Sequence, residues 1–109
     1  MNLFRKNISE RAQKKKSWRD LSVSLDNAGR VARARGDWDA AEAAYGESLG
    51  IVRELADSLG TPESLHDLVI SLGNLADVVE RLGDAERAES LRAERDRIAR
   101  ILDSGSSET

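Results

Sequence analysis

The chain has 109 residues, of which 34% are charged and 4% aromatic, with one proline and no cysteine. Such a length holds one domain, and the absence of cysteine excludes a disulfide framework and a thiolate metal site. The net charge of −3 conceals an asymmetry: residues 1–19 hold seven basic groups and one acid, a net of +6, which leaves −9 on the remainder.

Many small residues and few β-branched runs favour helix packed on helix over sheets. Residues 2–15 can form a short basic helix with Leu3, Phe4, Ile8 and Ala12 on one side. Ser17 reads as an N-cap, with Asp20 placed to complete a capping-box-like start. The next helix covers 18–35, where Leu21, Leu25, Ala28 and Ala32 recur at helical spacing with Val31 beside them. Gly36 ends it and Asp37 caps its successor. That successor covers 38–59, with Ala41, Ala44, Tyr45, Ser48, Val52, Leu55 and Leu59 along one stripe. In Gly60-Thr61-Pro62-Glu63, glycine closes, threonine caps, proline takes the first turn and an acid faces the positive helix end. A helix over 62–82 carries Leu65, Leu68, Leu72, Leu75 and Val79. Gly83-Asp84 repeats the earlier turn, and a last helix covers 85–102 with a sparse apolar face: Ala88, Leu91, Ile98, Ile101 and Leu102. Residues 104–109 are small and polar and are expected to be disordered.

Much of this sequence occurs twice, at an offset of 47 residues. Asp20-Leu21-Ser22-Val23-Ser24-Leu25 returns as Asp67-Leu68-Val69-Ile70-Ser71-Leu72. Asn27 returns as Asn74, Val31 as Val78, Gly36-Asp37 as Gly83-Asp84, and Ala41-Glu42 as Ala88-Glu89. A fixed offset with turns at matching places marks a repeat architecture, in which each unit buries its apolar face against the next.

At these residues the chain resembles the tetratricopeptide repeat. Leu25, Ala28-Gly29 and Ala32 match the first helix of that motif, Gly36-Asp37 its turn, and Ala41 with Tyr45 its second helix. The second copy is looser, with Leu72, Leu75-Ala76, Val79, Gly83-Asp84 and Ala88. The family's usual period is about 34 residues, so this offset is similar to a longer-period variant of bacterial signalling proteins. The extra length falls in the second helix and the connection at residues 60–63, and the proline that closes a repeat is absent. The resemblance spans residues 18–102. It implies an all-α, right-handed solenoid of antiparallel helix pairs: two repeats over 17–103, an N-terminal basic helix over 1–16, and a tail over 104–109. Phe4 aligns with Ile51 and Ile8 with Leu55, so residues 3–12 look like the end of a preceding repeat.

The resemblance also implies a function. In this family the first helix of each repeat lines a concave groove that takes an extended peptide or a partner helix. Here Val23, Asn27, Arg30 and Ala34 fall on one such line, and Ile70, Asn74, Asp77 and Arg81 on its counterpart. A side-chain amide both donates and accepts, which suits Asn27 and Asn74 to a peptide backbone. The basic partners of a terminal-carboxylate clamp are incomplete, and Asp77 opposes one.

The leading expectation is therefore a protein-interaction adaptor, with another protein or a peptide as partner. The alternative is an assembly element whose open N-terminal side completes a complex or homo-oligomer. A basic arm of Arg11, Lys14, Lys15, Lys16 and Arg19 could instead meet nucleic acid or membrane, since lysine and arginine neutralise phosphates without reading sequence; its bland reading is a solvated helix end. The lone His66 lacks companions for a metal site, and no nucleophile is paired with a base. No catalytic residue, metal or cofactor is expected. No stretch is long and apolar enough to cross a bilayer and none reads as a signal peptide, so a cytoplasmic protein is expected, and the resemblance implies a bacterial one.

Overall fold

A computed structural model describes the backbone of residues 3–107 and the side chains of residues 13–105. Four α-helices follow one another: α1 (Leu3–Ala34), α2 (Trp38–Leu59), α3 (Pro62–Arg81) and α4 (Ala85–Ser107). No strand occurs among the described residues. Each helix packs on the next in the chain.

The turns are built by the residues that mark them in the sequence. Gly36 and Gly83 take positive φ, 78° and 98°, a region that glycine enters without a Cβ penalty. The amide of Asp37 then donates to the Ala32 carbonyl at 2.9 Å, and that of Asp84 to the Val79 carbonyl at 2.9 Å. The two turns thus carry the same bonds at equivalent positions. Each aspartate also caps the helix that follows: Asp37 accepts from the Ala40 amide and Asp84 from the Arg87 amide, both at 3.1 Å. Thr61 caps α3 by accepting from the Ser64 amide at 3.1 Å, with Pro62 in the first turn.

Two boundaries differ from the sequence reading. The basic segment is not a separate helix, and Ser17 is not a cap; α1 continues through it. Residues 13–17 contain neither glycine nor proline, and lysine and glutamine propagate a helix well. Lys14, Lys15 and Trp18 border a cleft with Ile51 and Leu55 of α2, so this segment runs beside α2. The side chains of Leu3, Phe4, Ile8, Arg11 and Ala12 lie outside the described residues. At the other end, α4 continues through Ser107 instead of stopping at Leu102. Ile101, Leu102, Asp103 and Gly105 border an open cleft with Gly60, Pro62, Leu65 and His66. Glu108 and Thr109 are outside the described residues.

The core is centred on α3. Leu72, Leu75, Ala76, Val78 and Val79 are fully buried, flanked by Ala41, Tyr45, Leu49, Val52 and Ala56 of α2 and by Ala88 and Leu91 of α4. By contrast α1 sits on α2 through small groups. Among its described side-chain positions Ser22 and Gly29 are the buried ones, and the Ser48 hydroxyl donates to the Ser22 carbonyl at 3.1 Å. Leu21, Ala28 and Val31, expected on the packed face of α1, are exposed instead.

Ion pairs join equivalent helices. Arg19 of α1 reaches Glu63 and Asp67 of α3, at 2.9 and 3.1 Å. Arg87 of α4 reaches Glu42 of α2 at 2.9 Å, and Arg53 of α2 pairs with Glu94 of α4. The molecule is therefore two stacked helix pairs, α1–α2 and α3–α4, with α1 beside α3 and α2 beside α4.

Candidate protein-binding surface

The internal repeat separates two kinds of exposed apolar residue. Val23 is 48% exposed, and its repeat partner Ile70 is 47% exposed. A residue left open in both copies is not open for want of a neighbouring helix pair. Leu21 is 46% exposed while its counterpart Leu68 is 6% exposed, so the stacking of the pairs decides its exposure. Val23 and Ile70 are therefore surface positions by design of the repeat unit. They stand on the two helices that Arg19 ties side by side.

Asn27 and Asn74 are one helical turn further along, Asn27 exposed and Asn74 half-buried. Residues four apart share a helix face. Each helix thus offers an apolar residue followed by an amide, and the two sets are equivalent. Arg30 is exposed and close enough to Asp26 to favour its charged form. Ala34 is exposed as well.

The other two expected groove residues are engaged within the chain. Asp77 pairs with Arg92 at 2.8 Å and lies 3.8 Å from Arg33. Arg92 also holds Glu80 at 2.7 Å and keeps that carboxyl below its usual range. Arg81 lies over the Trp38 ring, 5.0 Å from its centroid, and Arg33 is 6.0 Å from the same ring. The ends of α1 and α3 are thereby knitted into a cluster of Arg33, Trp38, Asp77, Glu80, Arg81 and Arg92. Trp38, at the start of α2, is partly buried and packs against the core from this cluster. The signal that was available is the arginine standing in the second copy where the first has Tyr45. An arginine there cannot fill a core, so it seeks carboxylates.

Asp26 is a further feature that the sequence reading missed. It lies on α1 near the junction with α2 and α3. Its Oδ1 is buried without a hydrogen-bond partner. Burial pushes its carboxyl above the ordinary range; the neighbouring Ser48 and Arg30 act against this, and Asp67 adds to it.

The described basic residues of this segment stand on α1, beside α2. Lys14 and Lys16 are exposed and Lys15 is half-buried. Lys15, Lys16 and Arg19 border a cleft of about 220 Å³ with Val52, Leu55 and Leu59. Arg19 is engaged by two carboxylates, and its hydrogen bond to Asp67 raises its affinity for the proton.

Among the described residues no group of three His, Asp or Glu side chains could hold a metal ion. His66 is exposed on α3. No described helix is long and apolar enough to cross a membrane. No family model matches the chain, and no curated protein or solved structure matches it either.

Proposed function

We propose that this chain is a protein-interaction scaffold of the tetratricopeptide-repeat type, which takes a peptide or partner helix along the surface of α1 and α3. The observation that carries the reading is the paired exposure of Val23 and Ile70, each followed by an asparagine one turn on. An apolar side chain left in water in both copies has a use outside the fold, because isolation at an array end explains only one of them. The apolar pair supplies contact area. Asn27 and Asn74 supply a donor and an acceptor each, enough to pair with a peptide backbone that would otherwise lose water without compensation. Arg30 adds a positive charge beside them.

Asp77 and Arg81 help indirectly in this reading. They hold the ends of α1 and α3 through Arg92, Arg33 and Trp38, so the two recognition faces keep a fixed spacing. A pre-set surface loses less entropy on binding. The role is recognition rather than catalysis.

The test is a selection of displayed random peptides on the immobilised chain, followed by affinities for the selected sequences. Substituting both asparagines, Asn27→Ala with Asn74→Ala, should weaken binding by about tenfold or more, since each lost hydrogen bond removes about 1 kcal/mol. Thermal unfolding should be unchanged, because neither amide is in the core. Unchanged affinity in the double variant would remove the proposed site.

A further inference from the structure

The exposed apolar residues that are open in one copy only form a second surface. Along α1, Leu21, Ala28 and Val31 are exposed and Leu25 is half-buried. Their counterparts on α3, Leu68, Leu75, Val78 and Leu72, are all buried. The pair α1–α2 is equivalent to α3–α4, so the extra neighbours of α3 are α2, which packs along it, and α1, which reaches it through the ion pairs of Arg19. It is α2 that covers on α3 the stripe that lies open on α1.

The helix that performs this cover is a template for the missing occupant. It is amphipathic, and with Asp39, Glu42, Glu47, Glu54 and Asp57 against Arg53 its net charge is −4. Of the described basic residues of α1, Arg19 and Arg33 are paired with carboxylates of α3, while Lys14, Lys15, Lys16 and Arg30 remain to favour that sign. Nine basic and three acidic residues give α1 a net charge of +6. Lys14, Leu21 and Ala28 are spaced seven apart and share a face of α1, and Arg35 stands seven residues further on, in the turn just past its end. A second copy does not supply the complement. Its α1 carries the same positive charge, its acidic helices α2 and α3 are each packed between two others, and its α4, with five acids and five arginines, is neutral.

We propose that this face of α1 docks an acidic amphipathic helix of a partner protein, laid against α1 as α2 is laid against α3. The apolar stripe supplies the contact, and the basic residues of α1 select the charge and speed encounter. This surface is distinct from the one around Val23 and Ile70 and does not depend on it.

The probe is a labelled synthetic peptide with the sequence of residues 38–59, titrated with the full chain and followed by fluorescence anisotropy. A second peptide carries lysine in place of its five acids. The acidic peptide should bind, more weakly as salt is added, and the lysine peptide should not. Leu21→Asp combined with Val31→Asp should cost about tenfold or more in affinity, as expected for losing two apolar contacts. Ala28→Glu, at an exposed position, serves if the double variant does not fold. Lys14→Glu with Arg35→Glu should also weaken binding, while Asn27→Ala with Asn74→Ala should leave it unchanged. The proposal is overturned by absence of binding, by equal binding to the stripe variants, or by equal binding of the lysine peptide. It is also overturned if sedimentation shows a dimer that Leu21→Asp dissociates, because a second copy would then occupy the face.

Discussion

A Cβ on Gly29 would lie 2.7 Å from Cε1 of Tyr45, closer than side-chain carbons approach. The tyrosine is 2% exposed and is held in the core, so its ring has nowhere to retreat. α1 therefore approaches α2 as closely as it does because residue 29 has no side chain. At the equivalent place in the second pair stand Ala76 and Arg92, and the arginine leaves the core for Asp77 and Glu80.

Gly29→Ala should destabilise the fold. Overpacking costs about 1–3 kcal/mol, against a gain of about 1 kcal/mol from alanine's better helix propensity. Gly50 is the control, since a Cβ there meets nothing within 4 Å. Gly50→Ala should raise stability by about 0.5–1 kcal/mol. Thermal unfolding of the two variants should move the midpoint in opposite directions.

Asp26 should make stability fall as pH rises across the range above its unfolded value of 3.8. Its folded pKa is raised, so the folded state holds the proton more tightly than the unfolded state. That contribution is complete below the unfolded pKa and is lost as pH rises through the folded one. Asp26→Asn should abolish this dependence and make the protein more stable than wild type at neutral pH. Glu80 acts with the opposite sign. Arg92 depresses its folded pKa, so its contribution is present above the unfolded pKa of 4.5 and is lost as pH falls through the folded one. Urea midpoints across the acid-to-neutral range, for wild type, Asp26→Asn and Glu80→Gln, separate the two.

Arg81 should matter through Trp38. Stacking of a solvent-exposed cation on an indole contributes about 0.5–1 kcal/mol, and the Arg81 guanidinium is 5.0 Å from the centroid of the partly buried Trp38 ring. Arg81→Ala should lose about that much and change the Trp38 emission. A Trp18→Phe background makes Trp38 the sole indole reporter.

The turns were legible because Gly-Asp has one strong local use, closing a helix and capping the next, and it occurs twice in register. The positions of α2 and α3 followed from those turns and from leucine spacing. Ser17 misled because a serine before an acid suits a cap, yet nothing near it stops a helix, and the contact of Lys14 and Lys15 with α2 is not local in sequence. Leu21 and Val31 have the periodicity of core residues, but periodicity cannot say whether another helix arrives to cover them. The shared repeat position of Val23 and Ile70, and of Asn27 and Asn74, was readable in the sequence. The pairing of Asp77 with Arg92 and the stacking of Arg81 on Trp38 were not, because those partners come from other segments of the chain.

The most direct test of the central claim is to map a selected peptide on the isotope-labelled chain by backbone amide shifts. Shifts concentrated at Val23, Asn27, Ile70 and Asn74, with the exposed side of α4 around Glu89 and Arg97 silent, are the predicted result. Shifts confined to α4, or spread evenly over all four helices, would contradict a recognition surface on α1 and α3.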